Sequence, residues 1–147
     1  MDEKKILLVE DNPVNRRLAG FLLRSQGYQV CEATTGLETF ELVEKERPDL
    51  IVMDIAMPRQ DGITATKRIQ ELELPTQVLI LSIYDNRALV QQALKSGARG
   101  YVLKRALTAE LLPAIRQVNQ GGTYLSLGLV ERRENPPEGG YGIQGQE

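Results

Sequence analysis

The 147-residue sequence contains no histidine and one cysteine, Cys31. Without histidine, Ser-His-Asp catalysis, Cys-His catalysis and imidazole-ligated metals are excluded. A single cysteine excludes an internal disulfide and a zinc site made of clustered cysteines. Any chemistry in this chain must therefore use carboxylates, hydroxyls and amines.

Long hydrophobic runs are also absent. The longest runs of Val, Ile, Leu and Met have four residues, at 6–9, 50–53 and 78–81, whereas a membrane-spanning helix needs about 20 apolar residues. The first residues are mixed in charge and precede too short an apolar stretch for a signal peptide. The net charge of -2 favours neither a nucleic acid nor a membrane surface as a partner. We therefore expect a cytoplasmic protein that does not contact a membrane.

The short apolar runs predict buried parallel strands, and the stretches between them have the spacing of helices. We predict five strands, at 5–10, 28–33, 50–54, 76–82 and 99–103. Five helices alternate with them, at 13–26, 37–46, 63–72, 86–96 and 109–119. This alternation is typical of a doubly wound α/β sheet.

Local signals refine the helices. Asn12 is a suitable N-cap with Pro13 at the first helical position, and Thr108 is a suitable cap for the last helix. In the first helix Val14, Leu18, Phe21 and Leu22 fall on one face, as expected of an amphipathic helix that packs on the sheet.

The composition changes near the C-terminus. Residues 131–147 contain two Pro, four Gly and four Glu but a single aliphatic residue, Ile143. Such a segment cannot bury enough apolar surface to fold. We therefore predict one domain at 1–126, followed by a linker or disordered tail at 127–147.

Charged and polar residues gather at the ends of the predicted strands. Glu10 and Asp11 end the first strand, Asp54 the third and Ser82 the fourth, and Lys104 follows the fifth. In open α/β sheets ligands bind at the carboxyl ends of the strands. We therefore expect three carboxylates, a hydroxyl and an amine to meet at one edge.

Such a cluster needs cations. Two carboxylates about 4 Å apart repel by about 4 kcal/mol at an effective dielectric constant near 20. Lys104 supplies one positive charge, and Mg²⁺ suits a site of few carboxylates completed by water and phosphate oxygens. A carboxylate can attack phosphorus while the metal and the ammonium neutralise the phosphoryl oxygens. The cluster therefore predicts phosphoryl transfer onto an aspartate.

Four motifs, in order along residues 1–126, resemble a bacterial response-regulator receiver domain. They are Leu8-Val9-Glu10-Asp11-Asn12, Val52-Met53-Asp54-Ile55-Ala56-Met57-Pro58 with Asp61-Gly62, Leu81-Ser82 and Gly100-Tyr101-Val102-Leu103-Lys104. The resemblance implies a flavodoxin-like fold, with a five-stranded parallel sheet in the order 2-1-3-4-5 between five helices.

The resemblance also implies a role for each residue at the edge of the sheet. Asp54 would accept a phosphoryl group from a sensor histidine kinase or a small phosphodonor. Asp11 would bind Mg²⁺ directly and Glu10 through water, while Asp54 and the main-chain carbonyl of Ala56 would complete the protein ligands. Because the chain has no histidine, the phosphohistidine donor must be another protein or segment.

The remaining implied roles concern signalling. Ser82 would bond the phosphoryl oxygen, and Lys104 would pair with the phosphate. Tyr101 would turn inward as Ser82 moves, reshaping the face formed by the fourth helix, the fifth strand and the fifth helix. Ile83 stands where many receivers have Ala or Gly, and its bulk is expected to narrow access for the phosphodonor.

Residues 97–104, 111–115 and 121–126 narrow the resemblance to the NarL/LuxR type, whose receivers usually precede a helix-turn-helix DNA-binding domain. Only 21 residues follow Ser126, too few for that module. We therefore expect either a truncated chain or a receiver with a short tail, reaching DNA only through a domain absent here. A homodimer is compatible with the family, although Pro113 in the last helix disfavours the usual dimer geometry.

Two other functions fit these residues less well. A haloacid-dehalogenase-like phosphatase would carry Asp-x-Asp on the first strand, but Glu10-Asp11 stands there and Asp54-Ile55-Ala56 lacks the second Asp. A stand-alone or degenerate receiver would act by protein contact, and the presence of all five site side chains argues against degeneracy. We therefore expect a signalling switch that assists its own phosphorylation and dephosphorylation, rather than an enzyme.

Overall fold

The computed structural model describes residues 4–55 and 62–129. Within them strands and helices alternate, as the apolar pattern predicts. The elements are β1 Lys5–Val9, α1 Pro13–Ser25, β2 Gln29–Ala33, α2 Gly36–Glu46, β3 Leu50–Asp54, α3 Gly62–Glu71, β4 Gln77–Ser82, α4 Arg87–Lys95, β5 Gly100–Leu103, a 3-10 turn Lys104–Ala106, α5 Leu107–Asn119 and β6 Tyr124–Leu125.

The sheet is parallel throughout, in the order β2-β1-β3-β4-β5-β6. The predicted order of the first five strands is confirmed, but the prediction of a five-stranded sheet is wrong because β6 extends the edge. The Tyr124 N–H donates to the Arg99 carbonyl over 3.0 Å, and the Ser126 N–H donates to the Tyr101 carbonyl over 2.9 Å. A two-residue strand is too short for the alternation by which strands are recognised in a sequence.

Alternate residues of the central strands enter two separate cores, one on each face of the sheet. On one face Ile6, Leu8 and neighbouring strand residues pack against α1 and α5. On the other face Leu7, Val9 and their neighbours pack against α2, α3 and α4. This division makes a three-layer α/β domain, because side chains of a strand alternate between its faces.

The helix ends agree with the predictions at α1 and differ at α5. The Asn12 side chain accepts a hydrogen bond from the Asn15 N–H over 3.0 Å, so the predicted cap is confirmed. The predicted Thr108 cap is wrong, since α5 begins at Leu107 directly after the 3-10 turn. The turn already places the chain on the helical path. Pro113 lies inside the helix.

The predicted apolar face of α1 is wrong for three of its four residues, because of these only Leu22 packs, partly buried, against the core. Val14 is 73% exposed and Phe21 is 68% exposed, whereas Ala19, Gly20 and Leu23 face the sheet. The buried stripe therefore depends on two small residues that allow close packing. The apolar residues on the opposite side are left at the surface.

Packing continues past β6. Residues 127–129 are helical, and Leu129 is buried in the core that also contains Tyr101 and Leu103. The predicted domain boundary at 126 stays a prediction, and most of the predicted tail lies outside the described residues. No helix within the described ranges has the length and apolar character needed to cross a membrane.

Candidate functional site

The strand registers bring the predicted site residues to one edge of the sheet. Val9 lies beside Met53, so Glu10 and Asp54 follow at the same level. Ser82 pairs with Leu103, the residue before Lys104. Parallel strands that end at similar heights thus place the two carboxylates, the hydroxyl and the ammonium at the same edge.

Lys104 lies between two buried carboxylates. Its Nζ atom is 3.2 Å from Asp54 Oδ1 and 3.1 Å from Glu10 Oε1. The Lys104 side chain is 14% exposed, compared with 0% for Glu10 and 3% for Asp54. The predicted neutralisation of the carboxylates by this lysine is therefore present in the structure.

Glu10 is held asymmetrically. Its Oε2 accepts hydrogen bonds from the Asn12 N–H over 3.2 Å and from Lys104 Nζ over 3.3 Å. Its Oε1 is buried and lies 3.1 Å from the same ammonium, but it accepts no hydrogen bond from the described residues. This oxygen therefore has lone pairs that could still bind a cation.

Burial controls the charge of the site. Burial, followed by the nearby Asp54 charge, raises the pKa of Glu10 to about 7, although Lys104 and the Asn12 N–H act in the opposite direction. Burial lowers the pKa of Lys104, but the charges of Asp54 and Glu10 outweigh it and raise that pKa above its usual value. The site therefore holds a firmly protonated ammonium beside a carboxyl that titrates near neutral pH.

The carboxylates fit a hard cation. Ligand oxygens of Glu10, Asp11 and Asp54 all lie within 4.8 Å of one another. Asp11 is half-buried, and the Glu10 oxygen without a hydrogen bond supplies a further donor. An all-oxygen set of this kind suits Mg²⁺. The predicted ligand Ala56 lies outside the described residues.

Ser82 and Tyr101 are linked through the loop after β4. Ser82 is 1% exposed, and its Oγ accepts a hydrogen bond from the Tyr84 N–H over 2.9 Å. The buried Tyr101 hydroxyl donates to the Tyr84 carbonyl over 2.8 Å. Tyr101 therefore already points inward, and its role as a switch stays a prediction.

Two residues of the site were missed by the sequence analysis. Arg16 donates through Nη1 to the carbonyls of Glu10 over 2.9 Å and Asp11 over 3.4 Å. It thereby holds the turn that carries both acids. The available signal was its position one helical turn after the Asn12 cap.

Gly62 is the second. A Cβ atom added there would lie 2.5 Å from the Asp54 carbonyl oxygen, and the Gly62 N–H donates to the Ile55 carbonyl over 2.7 Å. Because no side chain fits, glycine lets the start of α3 lie against the end of β3. The sequence motif after Asp54 includes Gly62, but it does not show this close contact.

The chain is similar to known proteins. The response regulator receiver domain family matches residues 6–116. The oxygen regulatory protein NreC of Staphylococcus epidermidis is 36% identical over 129 residues, which cover 86% of this chain and 59% of NreC. The chain thus spans little more than half the length of this relative.

Solved structures of response regulators are also similar to this chain. A LuxR-family two-component response regulator from Aurantimonas sp. matches with a TM-score of 0.82 and 31% identity, over 91% of this chain and all of that chain. The receiver domain of the putative response regulator NarL from Mycobacterium tuberculosis matches with a TM-score of 0.77 and 31% identity, over 82% of this chain and 99% of that chain.

The parallel α/β fold and its acidic edge define a receiver-like signalling domain. The chain belongs to the response regulator receiver domain family. Its similarity to LuxR-family and NarL proteins confirms the predicted NarL/LuxR type.

Proposed function

We propose that this receiver acts in the cytoplasm and accepts a phosphoryl group on Asp54 from a phosphohistidine of a sensor histidine kinase, or from a small phosphodonor. The observation that carries the proposal is the position of Lys104 Nζ, 3.2 Å from Asp54 Oδ1 and 3.1 Å from Glu10 Oε1. A cation held at the acceptor carboxylate can stabilise the charge that develops on a transferring phosphoryl group.

Each residue would have a defined part in the transfer. An Asp54 oxygen attacks phosphorus, the P–N bond of the donor breaks, and the leaving imidazole keeps the electron pair and takes a proton from solvent. Lys104 and the Ser82 hydroxyl bind phosphoryl oxygens. The Ser82 hydroxyl can donate to a phosphoryl oxygen while its Oγ still accepts from the Tyr84 N–H.

Glu10, Asp11, Asp54 and the carbonyl of Ala56 would hold Mg²⁺. When bound, this ion would neutralise negative charge on the phosphoryl oxygens. The carboxylate oxygens within 4.8 Å of one another and the Glu10 oxygen without a hydrogen bond support this assignment. Arg16 would keep Glu10 and Asp11 in position through their carbonyls.

The output would pass through the loop after β4. If Ser82 binds phosphate, the bond to Tyr84 changes, and Tyr84 is also the acceptor for Tyr101. The phosphorylated state would thus reshape the surface formed by α4, β5 and α5. By analogy with its LuxR-family and NreC relatives, the chain would regulate transcription through a DNA-binding domain beyond it, with homodimerisation as one route.

Replacement of Asp54 tests the proposal directly. The Asp54→Asn variant should gain no alkali-labile acyl phosphate from acetyl phosphate with Mg²⁺, whereas the unchanged chain should gain one phosphoryl group. Asp49→Asn is the matched control, because Asp49 precedes the same strand and bonds the Lys5 N–H at the opposite end. Equal labelling of Asp54→Asn and the control would overturn the assignment.

A further inference from the structure

Ser126 makes an unusual set of contacts with the end of β5. It is 1% exposed. Its N–H donates to the Tyr101 carbonyl over 2.9 Å, and its Oγ accepts from the Leu103 N–H over 2.9 Å. The same hydroxyl donates to Glu110 Oε1 over 2.6 Å. One serine thus bonds β5 at two residues and connects it to α5.

The serine side chain replaces a missing strand partner. β6 ends at Leu125, so the N–H of Leu103 would face the edge of the sheet without a backbone acceptor. Ser126 Oγ supplies that acceptor. Lys104 follows Leu103 directly, so this hydrogen bond fixes the Val102–Leu103 peptide unit, one unit before the one that leads into the lysine.

Glu110 completes the arrangement. It lies in the first turn of α5 and is 8% exposed. Besides Ser126, it accepts a hydrogen bond from the Leu127 N–H over 3.4 Å. Among the ion pairs of the described residues, none includes Glu110. Burying a carboxylate without a cation is expensive, and the proposed phosphoryl transfer has no use for this acid.

The segment beyond Ser126 is attached to the same place. The Leu129 N–H donates to the Ser126 carbonyl over 2.9 Å, and the Leu129 side chain is buried in the core that contains Tyr101 and Leu103. Residues 124–129 therefore contact the strand that carries both the proposed switch residue and the lysine of the site.

We infer that Glu110 and Ser126 are positioning residues for Lys104. They hold the end of β5 so that the ammonium lies between Glu10 and Asp54, and they dock residues 124–129 on that strand. The inference rests on the proposed function for its consequence: binding at Asp54 and docking of the segment are coupled. Such coupling is reciprocal, so each event strengthens the other by the same factor.

The experiment compares three serine variants by amide hydrogen exchange and by Mg²⁺-dependent beryllofluoride binding. In Ser126→Ala the amide hydrogens of Leu103 and Lys104 should exchange about tenfold faster than in the unchanged chain. Beryllofluoride should bind about tenfold more weakly. Both factors correspond to the loss of one buried hydrogen bond. Ser126→Thr retains the hydroxyl and should restore both. Ser96→Ala is the control, because Ser96 bonds a helix carbonyl at the end of α4.

Binding should also act in the other direction. In the unchanged chain, beryllofluoride should slow exchange of the Ser126 and Leu127 amides. If Ser126→Ala does not fold, Glu110→Gln replaces it in the same two measurements, and we expect it to bind beryllofluoride more weakly than the unchanged chain. Wild-type beryllofluoride affinity in folded Ser126→Ala, or equal losses in the Ala and Thr variants, would overturn the inference.

The two proposals fail in different ways. If the unchanged chain binds no beryllofluoride with Mg²⁺, the proposed function is wrong. The exchange rates of the Leu103 and Lys104 amides in the Ser126 variants would still test the positioning role. Unchanged rates in Ser126→Ala would overturn it.

Discussion

Two buried carboxylates, Glu10 after β1 and Glu110 in α5, are stabilised in different ways. Glu10 has an ammonium beside it, yet its Oε1 has no hydrogen bond and its pKa is raised to about 7, first by burial. Glu110 has no ion pair among the described residues, but both of its oxygens accept hydrogen bonds from neutral donors. One acid retains capacity for a ligand, whereas the other is satisfied within the fold.

This difference separates a binding site from a structural contact. A buried oxygen without a hydrogen bond lowers stability, and under the proposed function Mg²⁺ would bind near this oxygen. A carboxylate satisfied by Ser126 and Leu127 instead fixes the position of the chain around it. Neutralising Glu10 should therefore raise stability, whereas neutralising Glu110 should lower it.

The largest effect should follow from removing the cation. Lys104→Met leaves Glu10 and Asp54 buried together without compensation and should lower the free energy of unfolding by about 3 kcal/mol at pH 8. The loss should be smaller at pH 5, where Glu10 is protonated. Lysine itself stays charged between these values, because its pKa is raised above 10.5.

Urea denaturation without Mg²⁺ at both pH values measures this effect. Lys95→Met is the control, since Lys95 is an exposed lysine in the last turn of α4. If Lys104→Met were as stable as Lys95→Met at pH 8, the ammonium would not be compensating the two acids.

Neutralising Glu10 should have the opposite sign. The folded pKa of Glu10, about 7, lies above the ordinary value of 4.5. The folded state therefore binds the proton more tightly, and wild-type stability should fall as the pH rises from about 4.5 to about 7. Glu10→Gln should remove this fall and be more stable than the wild type by about 2 kcal/mol at pH 8, with little difference at pH 5.

Denaturation curves at pH 5 and pH 8 without Mg²⁺ test the Glu10 prediction, with Glu71→Gln as an exposed control at the end of α3. Mg²⁺ should then stabilise the wild type and not Glu10→Gln, since a ligand stabilises only the state that binds it. Loss of stability in Glu10→Gln at pH 8 would show that its carboxylate is already satisfied.

Most of the fold and the acidic edge could be predicted because they depend on local patterns. Each buried strand is a continuous apolar run, and Asp54, Ser82 and Lys104 stand where these runs end. Order along the chain and the rule for ligand crevices then bring them together. The cluster of site residues at this edge of the sheet could therefore be predicted without knowing how the helices pack.

The remaining features depend on contacts between distant residues. The hydrogen bond between Ser126 and Glu110 joins two residues that are 16 positions apart in the sequence. Serine and glutamate are also common at protein surfaces, so their residue types do not indicate burial. The exposed apolar face of α1 has the same cause, because Ala19 and Gly20 face the sheet only through the fit of the helix. Periodicity identifies a face but does not decide which face has a partner.

The smallest effect should follow from neutralising Glu110, and it distinguishes the two acids. Glu110→Gln presents an amide whose NH₂ must face one of the donors that now bond the carboxylate, so stability should fall by about 1 kcal/mol at pH 8.

The pKa of the Tyr124 hydroxyl gives a second readout of the same substitution. Burial, and then the Glu110 charge and hydrogen bond, raises the pKa of Tyr124 to about 12. In Glu110→Gln this pKa should decrease while staying above 10, because burial remains. NMR titration of labelled tyrosine rings and denaturation at pH 8 measure both effects, and a gain in stability would mean that Glu110, like Glu10, is buried without sufficient donors.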